Sequence, residues 1–77
     1  MKELLYTIVA GLVSDKDAIS ITQDLPDADG VVVLHLHVAP EDMGRVIGKQ
    51  GRIAKAIRTI VRAGAARAEQ KVSVEIE

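Results

Sequence analysis

The 77-residue chain contains no cysteine, tryptophan or phenylalanine, and Tyr6 is its only aromatic residue. Because there is no thiol, disulfide bonds and thiolate zinc sites are excluded, which suits a protein of the reducing cytoplasm. One aromatic side chain cannot build the stacking platform that some nucleic-acid-binding domains use. The chain also lacks an apolar run long enough to cross a bilayer, since its longest mostly apolar stretch covers only residues 4–13.

The N-terminus has one feature of a secretion signal and lacks the others. Lys2 precedes the apolar stretch, as a basic residue does in a signal peptide, but Glu3 adds an acidic charge beside it. Residues 13–17, which follow the stretch, contain no small-x-small cleavage site. We therefore predict a core-facing helix here, no membrane insertion and a cytoplasmic location.

A chain of 77 residues has room for one domain, and we predict a single domain over residues 1–77. A domain of this size buries only about 60–65% of the surface that its unfolded chain exposes. That leaves little room for a deep catalytic pocket, and no nucleophile–base pair or carboxylate pair stands at a plausible site. We expect a binding surface on the outside, no enzymatic activity and no cofactor.

Acidic residues are missing from one long stretch of the chain, residues 45–68. Residues 1–44 contain two basic and eight acidic residues, a net charge of −6, whereas residues 45–77 contain eight basic and three acidic residues, a net charge of +5. The overall charge of −1 therefore hides a basic region. Such an asymmetry between the halves of a chain indicates a polyanionic partner.

Hydrophobic periodicity predicts six elements in the order helix, strand, strand, helix, helix, strand. Apolar residues at three- and four-residue spacing predict the first helix over about residues 2–13. Alternating apolar residues predict strands at residues 19–23, 31–38 and 72–76, with a turn at 26–30 between the first two.

The remaining two helices follow the second strand. Pro40 begins a short helix, which Gly48 interrupts, and a longer helix extends from about Arg52 to about Ala68. The predicted fold class is α+β, with helices packed on one face of a three-stranded sheet.

The tetrapeptide Gly48-Lys49-Gln50-Gly51 stands between these two helices. Two glycines three positions apart let the chain reverse tightly and let a ligand approach the backbone closely. Gly51 opens the long helix, whose free N–H groups and positive dipole end attract anions. Lys49 adds a mobile charge and Gln50 a hydrogen-bonding amide. The turn is suited to a phosphate backbone.

The long helix has two different faces on a helical projection. One stripe is apolar or small and consists of Ile53, Ile57, Ile60, Val61, Gly64 and Ala68; the opposite side carries Arg52, Lys55, Arg58 and Arg62. We expect the isoleucines to be buried against the sheet and the basic residues to form a ridge that Arg45 extends. A face that only solubilises the helix would pair its cations with glutamates at i,i+4, and those are absent.

The residues around the two glycines resemble a family signature. Residues 45–53 look like the VIGxxGxxI sequence of KH domains. Residues 38–44 and 56–60 extend the resemblance to the small bacterial KhpA family of stand-alone KH proteins, and it covers essentially the whole chain. The predicted element order is similar to a type II KH arrangement.

This resemblance implies non-catalytic binding of single-stranded RNA, as a small RNA chaperone or post-transcriptional regulator. The RNA would lie in a groove between the GxxG loop, its flanking helices and the adjacent strand, where a KH domain clamps about four nucleotides. The expected RNA-binding residues are Arg45, Ile47, Gly48, Lys49, Gln50, Gly51, Arg52, Ile53 and Lys55. The resemblance also implies a homodimer, and a heterodimer with a second KH protein of the Jag (KhpB) type.

One segment departs from the family. Ser14-Asp15-Lys16-Asp17 differs from the His-Pro-containing turn associated with KhpA proteins. Because this segment lies far from the glycines along the chain, we expect it to affect only local turn geometry.

Three other functions are weighed against RNA binding. The alternative function is a protein-interaction module that dimerises, with RNA binding secondary. RNA binding that weakens steeply as salt is added would distinguish the first function from this alternative.

His35 and His37 share one face of a strand, but a metal site needs three or four protein ligands, and we predict no metal site here. Gly44 and Gly48-Lys49 resemble a Walker A loop that is one residue too short and lacks its hydroxyl residue, so nucleotide hydrolysis is not expected.

Overall fold

The computed structural model describes residues 1–77, and six regular elements follow one another along the chain. They are α1 (Lys2–Ala10), β1 (Ser20–Gln23), β2 (Val31–His37), α2 (Met43–Ile47), α3 (Arg52–Arg67) and β3 (Lys71–Ile76). Three short 3-10 turns, Lys16–Ala18, Pro40–Asp42 and Lys49–Gly51, lie between them. The predicted element order and the α+β class are confirmed.

The three strands form one mixed sheet in the order β1-β2-β3. β1 pairs with β2 antiparallel, with Ile21 opposite Leu36, and β2 pairs with β3 parallel, with Leu34 opposite Val74. A parallel pair requires a crossover connection, and α2 and α3 supply it. The chain therefore leaves the end of β2, passes through the two glycines and returns along α3.

The helices cover only one face of the sheet, and the core lies between the two layers. Ten buried apolar side chains form it: Leu5, Val9, Val13, Leu34, Leu36, Val38, Val46, Ile57, Val61 and Val74. The inward residues of β2 alternate with outward ones, so that His35 and His37 lie on the uncovered face. The packing of helices on one face of the sheet is as predicted.

The first helix is shorter than its apolar pattern predicts. α1 ends at Ala10, and the chain then turns through Gly11, whose N–H donates to the Ile8 carbonyl. Val13 lies beyond the helix yet is buried in the core. The pattern therefore identified core positions correctly but continued three residues past the end of the helix. No helix of the protein is both long and apolar enough to span a membrane.

The buried stripe of α3 is rotated from the predicted one. The buried residues are Ala54, Ile57, Val61 and Ala65, whereas Ile53 and Ile60 are 37% and 48% exposed. Small alanines let the helix lie close to the sheet, and this leaves the larger Ile60 side chain facing away. The prediction that all three isoleucines are buried was wrong for Ile53 and Ile60.

Candidate functional site

The turn between α2 and α3, which we call the glycine loop (Gly48–Gly51), has a positive φ angle at three of its four residues. Gly48 adopts φ 75° and ψ 175°, a region that is essentially restricted to glycine. Gln50 and Gly51 follow with φ values of 57° and 74°. A left-handed conformation at Gln50 is uncommon for a residue with a side chain. The backbone of the loop is therefore held in one defined conformation, and the Lys49 and Gln50 side chains on it are exposed.

Gly48 is also required by the side chain that packs on it. A Cβ atom at this position would lie 2.2 Å from Ile53 Cγ1 and 2.7 Å from Ile53 Cβ, both far inside van der Waals contact. Ile53, in the first turn of α3, therefore covers the backbone of Gly48. This contact explains why Ile53 is not part of the sheet-facing stripe.

Gly51 is different, because a Cβ atom built on it would meet nothing within 4 Å. Its left-handed φ of 74° places it as the residue that precedes α3. The N-terminal end of this 16-residue helix, with its positive dipole end, therefore opens directly beside the loop. The space in front of Gly51 is open for a ligand.

Apolar surface flanks the loop on both sides. Ile47, the last residue of α2, is 39% exposed, and Ile53 is 37% exposed. Gly44, one helical turn before Gly48, would also place a Cβ atom in open space. Open backbone and two partly exposed isoleucines therefore lie beside the loop, and they offer apolar surface to a ligand.

The basic residues near the loop are free of acidic partners. Arg45 is the only lysine or arginine whose side chain lies within 4.0 Å of a carboxylate. Lys49, Arg52 and Lys55 are exposed, and Arg52 contacts only the Gln50 side-chain oxygen, at 3.5 Å. Unpaired cations that surround a turn form a positive surface that attracts a polyanion.

Arg58 departs from the predicted basic ridge. Its Nε donates to the Val74 carbonyl of β3 at 3.3 Å, and its side chain is partly buried. Arg62 remains exposed on the same side of α3. The ridge near the loop therefore consists of Arg52 and Lys55, whereas Arg58 attaches α3 to the sheet.

Arg45 belongs to a network that joins α2 to the connection between α1 and β1. Its Nη1 donates to the hydroxyl of Ser14 and lies 3.5 Å from Asp42 Oδ1. The buried Asp42 carboxylate in turn accepts the backbone N–H groups of Ser14, at 3.0 Å, and Asp15, at 3.1 Å. The expectation that Ser14–Asp17 affects only local turn geometry was wrong, because Ser14 contacts Arg45 of α2, and both Ser14 and Asp15 bond to Asp42 just before that helix.

Asp42 is ionised throughout the physiological range. The hydrogen bonds from the backbone of Ser14 and then of Asp15 lower the pKa of the Asp42 carboxyl below its usual value, and Arg45 lowers it further. Burial acts in the opposite direction and is outweighed. The result is a fixed negative charge beneath Arg45.

The sequence of the chain is similar to a known protein family over nearly its whole length. The family model described as KhpA/KhpB, KH domain, matches residues 2–76. The chain belongs to this family. A protein of Clostridium acetobutylicum named RNA-binding protein KhpA is 50% identical over 76 residues, which is 99% of both chains. A protein of the same name from Listeria monocytogenes is 47% identical over 99% of this chain and 97% of its own length.

The fold also resembles a solved structure of low sequence identity. A crystal structure of a variant of Era from Aquifex aeolicus matches 96% of this chain with a TM-score of 0.66 and 18% sequence identity. The chain spans 28% of that protein, and the likeness concerns the fold alone. KhpA/KhpB is a family of RNA-binding KH proteins and not of enzymes, as predicted.

A second polar cluster lies on the uncovered face of the sheet. His35 Nε2 is 2.8 Å from Asp24 Oδ2, and its Nδ1 is 2.6 Å from Glu77 Oε1 and 3.6 Å from Glu75 Oε2. The hydrogen bonds to Asp24 and then to Glu77 raise the pKa of His35 above its usual 6.5. Ligand atoms of His35, Glu75 and Glu77 lie within 4.8 Å of one another. Exposed acidic groups commonly stand together without an ion, and the hydrogen bonds of the His35 ring to Asp24 and Glu77 account for this cluster without a metal.

Sequence reasoning missed Asp42 and Ser14 as neighbours of the site. Asp42 resembles an ordinary acidic residue in the first turn of a helix, and only the fold shows that it is buried. Its position three residues before Arg45 was visible, but the contact with Ser14 spans 28 residues of sequence. Contacts at such separation leave no local pattern.

Proposed function

We propose that this protein binds single-stranded RNA through the glycine loop, without catalysis. Lys49 and Gln50 contact phosphate and sugar, and Gly48 and Gly51 permit the close approach of the backbone. The observation that carries the proposal is the combination, in one turn, of a glycine-restricted backbone with exposed and unpaired cations.

The surroundings of the loop support a short strand of RNA as the ligand. Ile47 and Ile53 provide partly exposed apolar surface for the faces of bases or riboses. In many RNA-binding domains aromatic side chains provide this surface, but Tyr6 is the only aromatic residue of this chain. Arg45, Arg52 and Lys55 hold the phosphates electrostatically. Each contact is modest, and we expect the affinity of one domain to be modest as well.

The relatives support the class of ligand. Proteins with 45–50% identity over nearly their full length carry the name RNA-binding protein KhpA. We extend the proposal to a role as RNA chaperone or post-transcriptional regulator, with residues 1–77 as one domain acting in the cytoplasm. The family description names KhpA and KhpB together, and pairing with a Jag (KhpB)-type protein is part of the proposal.

Fluorescence anisotropy with a short single-stranded RNA tests the proposed site. The double substitution Lys49→Asp/Gln50→Asp changes the charge of the loop by three units and places aspartate at the left-handed position 50, which aspartate tolerates. We expect this variant to fold, as judged by circular dichroism, and to bind RNA at least about tenfold more weakly than wild type.

Arg67→Glu/Gln70→Glu is the matched control. It changes the charge by the same amount at two exposed positions near the other end of α3, about 20 Å from the loop. We expect it to keep most of the affinity. Equal weakening by both pairs would indicate non-specific attraction, and unchanged binding by the loop variant would place the site elsewhere.

The alternative function, a dimerisation module, is supported by a separate surface. Four exposed residues of α3 at three- and four-residue spacing form what we call the apolar seam: Ile53, Ala56, Ile60 and Ala63. Apolar residues at this spacing pack against a second helix. Ile53 of the seam also packs on Gly48, so a homodimer through the seam would place its interface beside the two glycine loops.

A further inference from the structure

The position of the Arg45 side chain is unusual for an exposed arginine. A free arginine loses about 2 kcal/mol of rotamer entropy when a ligand immobilises it. Here Nη1 is already engaged by the Ser14 hydroxyl and faces Asp42 Oδ1, yet the side chain remains 59% exposed. The guanidinium is thus held in place while much of its surface faces solvent.

The group that holds it is itself fixed. The Asp42 side chain is only 1% exposed, and each of its oxygens accepts a backbone N–H, one from Ser14 and one from Asp15. No buried side-chain polar atom of the protein lacks a partner. Because the carboxylate cannot rotate without losing these bonds, it fixes both the connection between α1 and β1 and the charge beneath Arg45.

We propose that Ser14 and Asp42 are positioning residues of the RNA site, which hold Arg45 ready for a phosphate beside the glycine loop. This inference rests on the proposed function. A guanidinium has five N–H donors. Nη1 is the only one of its nitrogens with a bond inside the protein, so Nε and Nη2 remain for a phosphate. Ser14, in the connection between α1 and β1, is then part of the site, whereas the residues after Asp15 are not.

The competing explanation is that Arg45 only joins the connection to α2 and takes no part in binding. The two explanations differ in the salt dependence of RNA affinity. An arginine that neutralises a phosphate contributes about 0.7 to the slope of log affinity on log salt for a single strand, and a structural arginine contributes nothing.

A double-mutant cycle of Ser14→Ala and Arg45→Ala, read by RNA anisotropy over a salt series, tests the proposal. We expect Arg45→Ala to weaken binding by about fivefold and to reduce the salt slope by about 0.7. Ser14→Ala, which removes the hydroxyl and keeps the N–H bonded to Asp42, should weaken binding by about two- to threefold. In the Arg45→Ala background it should have no further effect.

Lys16→Ala is the control, because it removes one positive charge from the same connection at an exposed position outside the network. This control should leave the RNA affinity nearly unchanged.

Asp42→Asn is a second test of the network. It removes the negative charge beneath Arg45 with little change in side-chain shape. Its RNA affinity is measured at a temperature where circular dichroism shows that the variant is folded. It should weaken binding in the wild-type background and not in the Arg45→Ala background.

Two results would overturn the proposal. Equal effects of Ser14→Ala with and without Arg45, or an unchanged salt slope in Arg45→Ala, would leave the network with a structural role only. If Lys49→Asp/Gln50→Asp also binds RNA like wild type, the proposed function fails as well. Loss of binding in that variant together with an additive cycle would refute the positioning role alone.

Discussion

Gly48 and Gly51 perform different tasks in the glycine loop, although the family signature treats them alike. Gly48 combines a glycine-restricted backbone with the side chain of Ile53 packed directly on it. Gly51 needs only the left-handed backbone, and the space in front of it is open. The first glycine therefore maintains the structure of the turn, and the second leaves open space beside the start of α3.

Alanine substitutions at three glycines should separate these tasks. Gly48→Ala should lower the free energy of unfolding by about 2–4 kcal/mol, because of backbone strain and the clash with Ile53. Gly51→Ala should cost about 1–2 kcal/mol for its left-handed backbone alone. Gly44→Ala, in a helix with open space around it, should be neutral or stabilising by up to about 1 kcal/mol. Urea unfolding followed by circular dichroism measures all three.

The ranking of the three stability changes tests the loop geometry more directly than their absolute size. If Gly48→Ala were as stable as wild type, the loop would adopt another conformation, and the account of its geometry would be wrong. RNA binding by Gly44→Ala, which should fold normally, then reports whether the strand lies against the exposed side of α2. A loss of affinity without loss of stability is the expected result.

Residues of the site differ in how far sequence reveals them. Gly48–Gly51 is recognisable because two glycines, a basic neighbour and flanking isoleucines occur within nine residues. Asp42 is not, because its function depends on N–H groups 27 and 28 residues away. Ile53 was wrongly expected in the buried stripe of α3, and its expected contact with RNA stays a prediction.

α3 is an element with three faces, where the hydrophobic pattern indicated two. One face is buried against the sheet, a second carries Lys55 and Arg62, and the third is the apolar seam. The pattern misled because isoleucines dominate a helical projection, whereas alanines occupy half of the contact with the sheet. Whether alanine or isoleucine faces the sheet depends on the distance between α3 and the sheet, and the sequence does not reveal that distance.

The three strands are joined on their uncovered face by His35. Its ring contacts Asp24 at the end of β1 and Glu77 after β3, with Glu75 of β3 nearby. Those three carboxylates are the charged groups around it. The raised pKa of His35 means that the folded state binds a proton more tightly than the unfolded chain does.

Stability should therefore fall as the pH rises. The contribution of protonated His35 is fully present below the unfolded pKa of 6.5 and is lost as the pH passes through the higher pKa of the folded state. We expect the thermal midpoint to fall by a few degrees between about pH 6 and about pH 8, and His35→Gln to remove most of this change. Thermal unfolding at several pH values measures it.

His37→Gln is the control for that experiment, because His37 lies two residues further along the same strand, is exposed and has no ion pair. It should retain the pH dependence of wild type. If His35→Gln and His37→Gln reduced the pH dependence of the thermal midpoint equally, that dependence would not belong to the ion pairs of His35.

The charge of the whole molecule is divided between its two halves. The basic half, residues 45–77, contains the glycine loop and α3, and almost none of its cations has an acidic partner. The acidic half, residues 1–44, supplies α1, β1 and β2, together with Asp24 just after β1 and Asp42 just before α2. This distribution of charge favours the approach of a polyanion to the glycine loop and α3, which is what the proposed RNA site requires.

The apolar seam is the surface through which we propose that two molecules form a homodimer. Ile60→Lys should convert a dimer into an 8.2 kDa monomer without loss of folding, because Ile60 is 48% exposed and contributes little to the core. Sedimentation equilibrium measures the mass. Ala66→Lys adds the same side chain at an exposed position of α3 outside the seam and should leave the dimer intact. A dimer that survives Ile60→Lys would exclude the seam as its interface.

At the scale of the molecule, sequence predicted the element order, the fold class and the family. These follow from periodicity and from a signature concentrated in one stretch. The register of the sheet, the rotation of α3 and the network around Arg45 depend on contacts between distant segments, which no local pattern specifies. The expected RNA-binding residues remain a prediction for experiment.

The most direct test of the central claim is an NMR titration of the amide signals of the 77-residue chain with a short single-stranded RNA. We predict that the largest shifts occur at residues 44–53, centred on Lys49 and Gln50, with smaller ones at Ser14 and Lys55. Signals of β3 and of the uncovered sheet face should remain in place. Shifts confined to that face, or to the far end of α3, would show that the RNA binds elsewhere and that the glycine loop is only a turn.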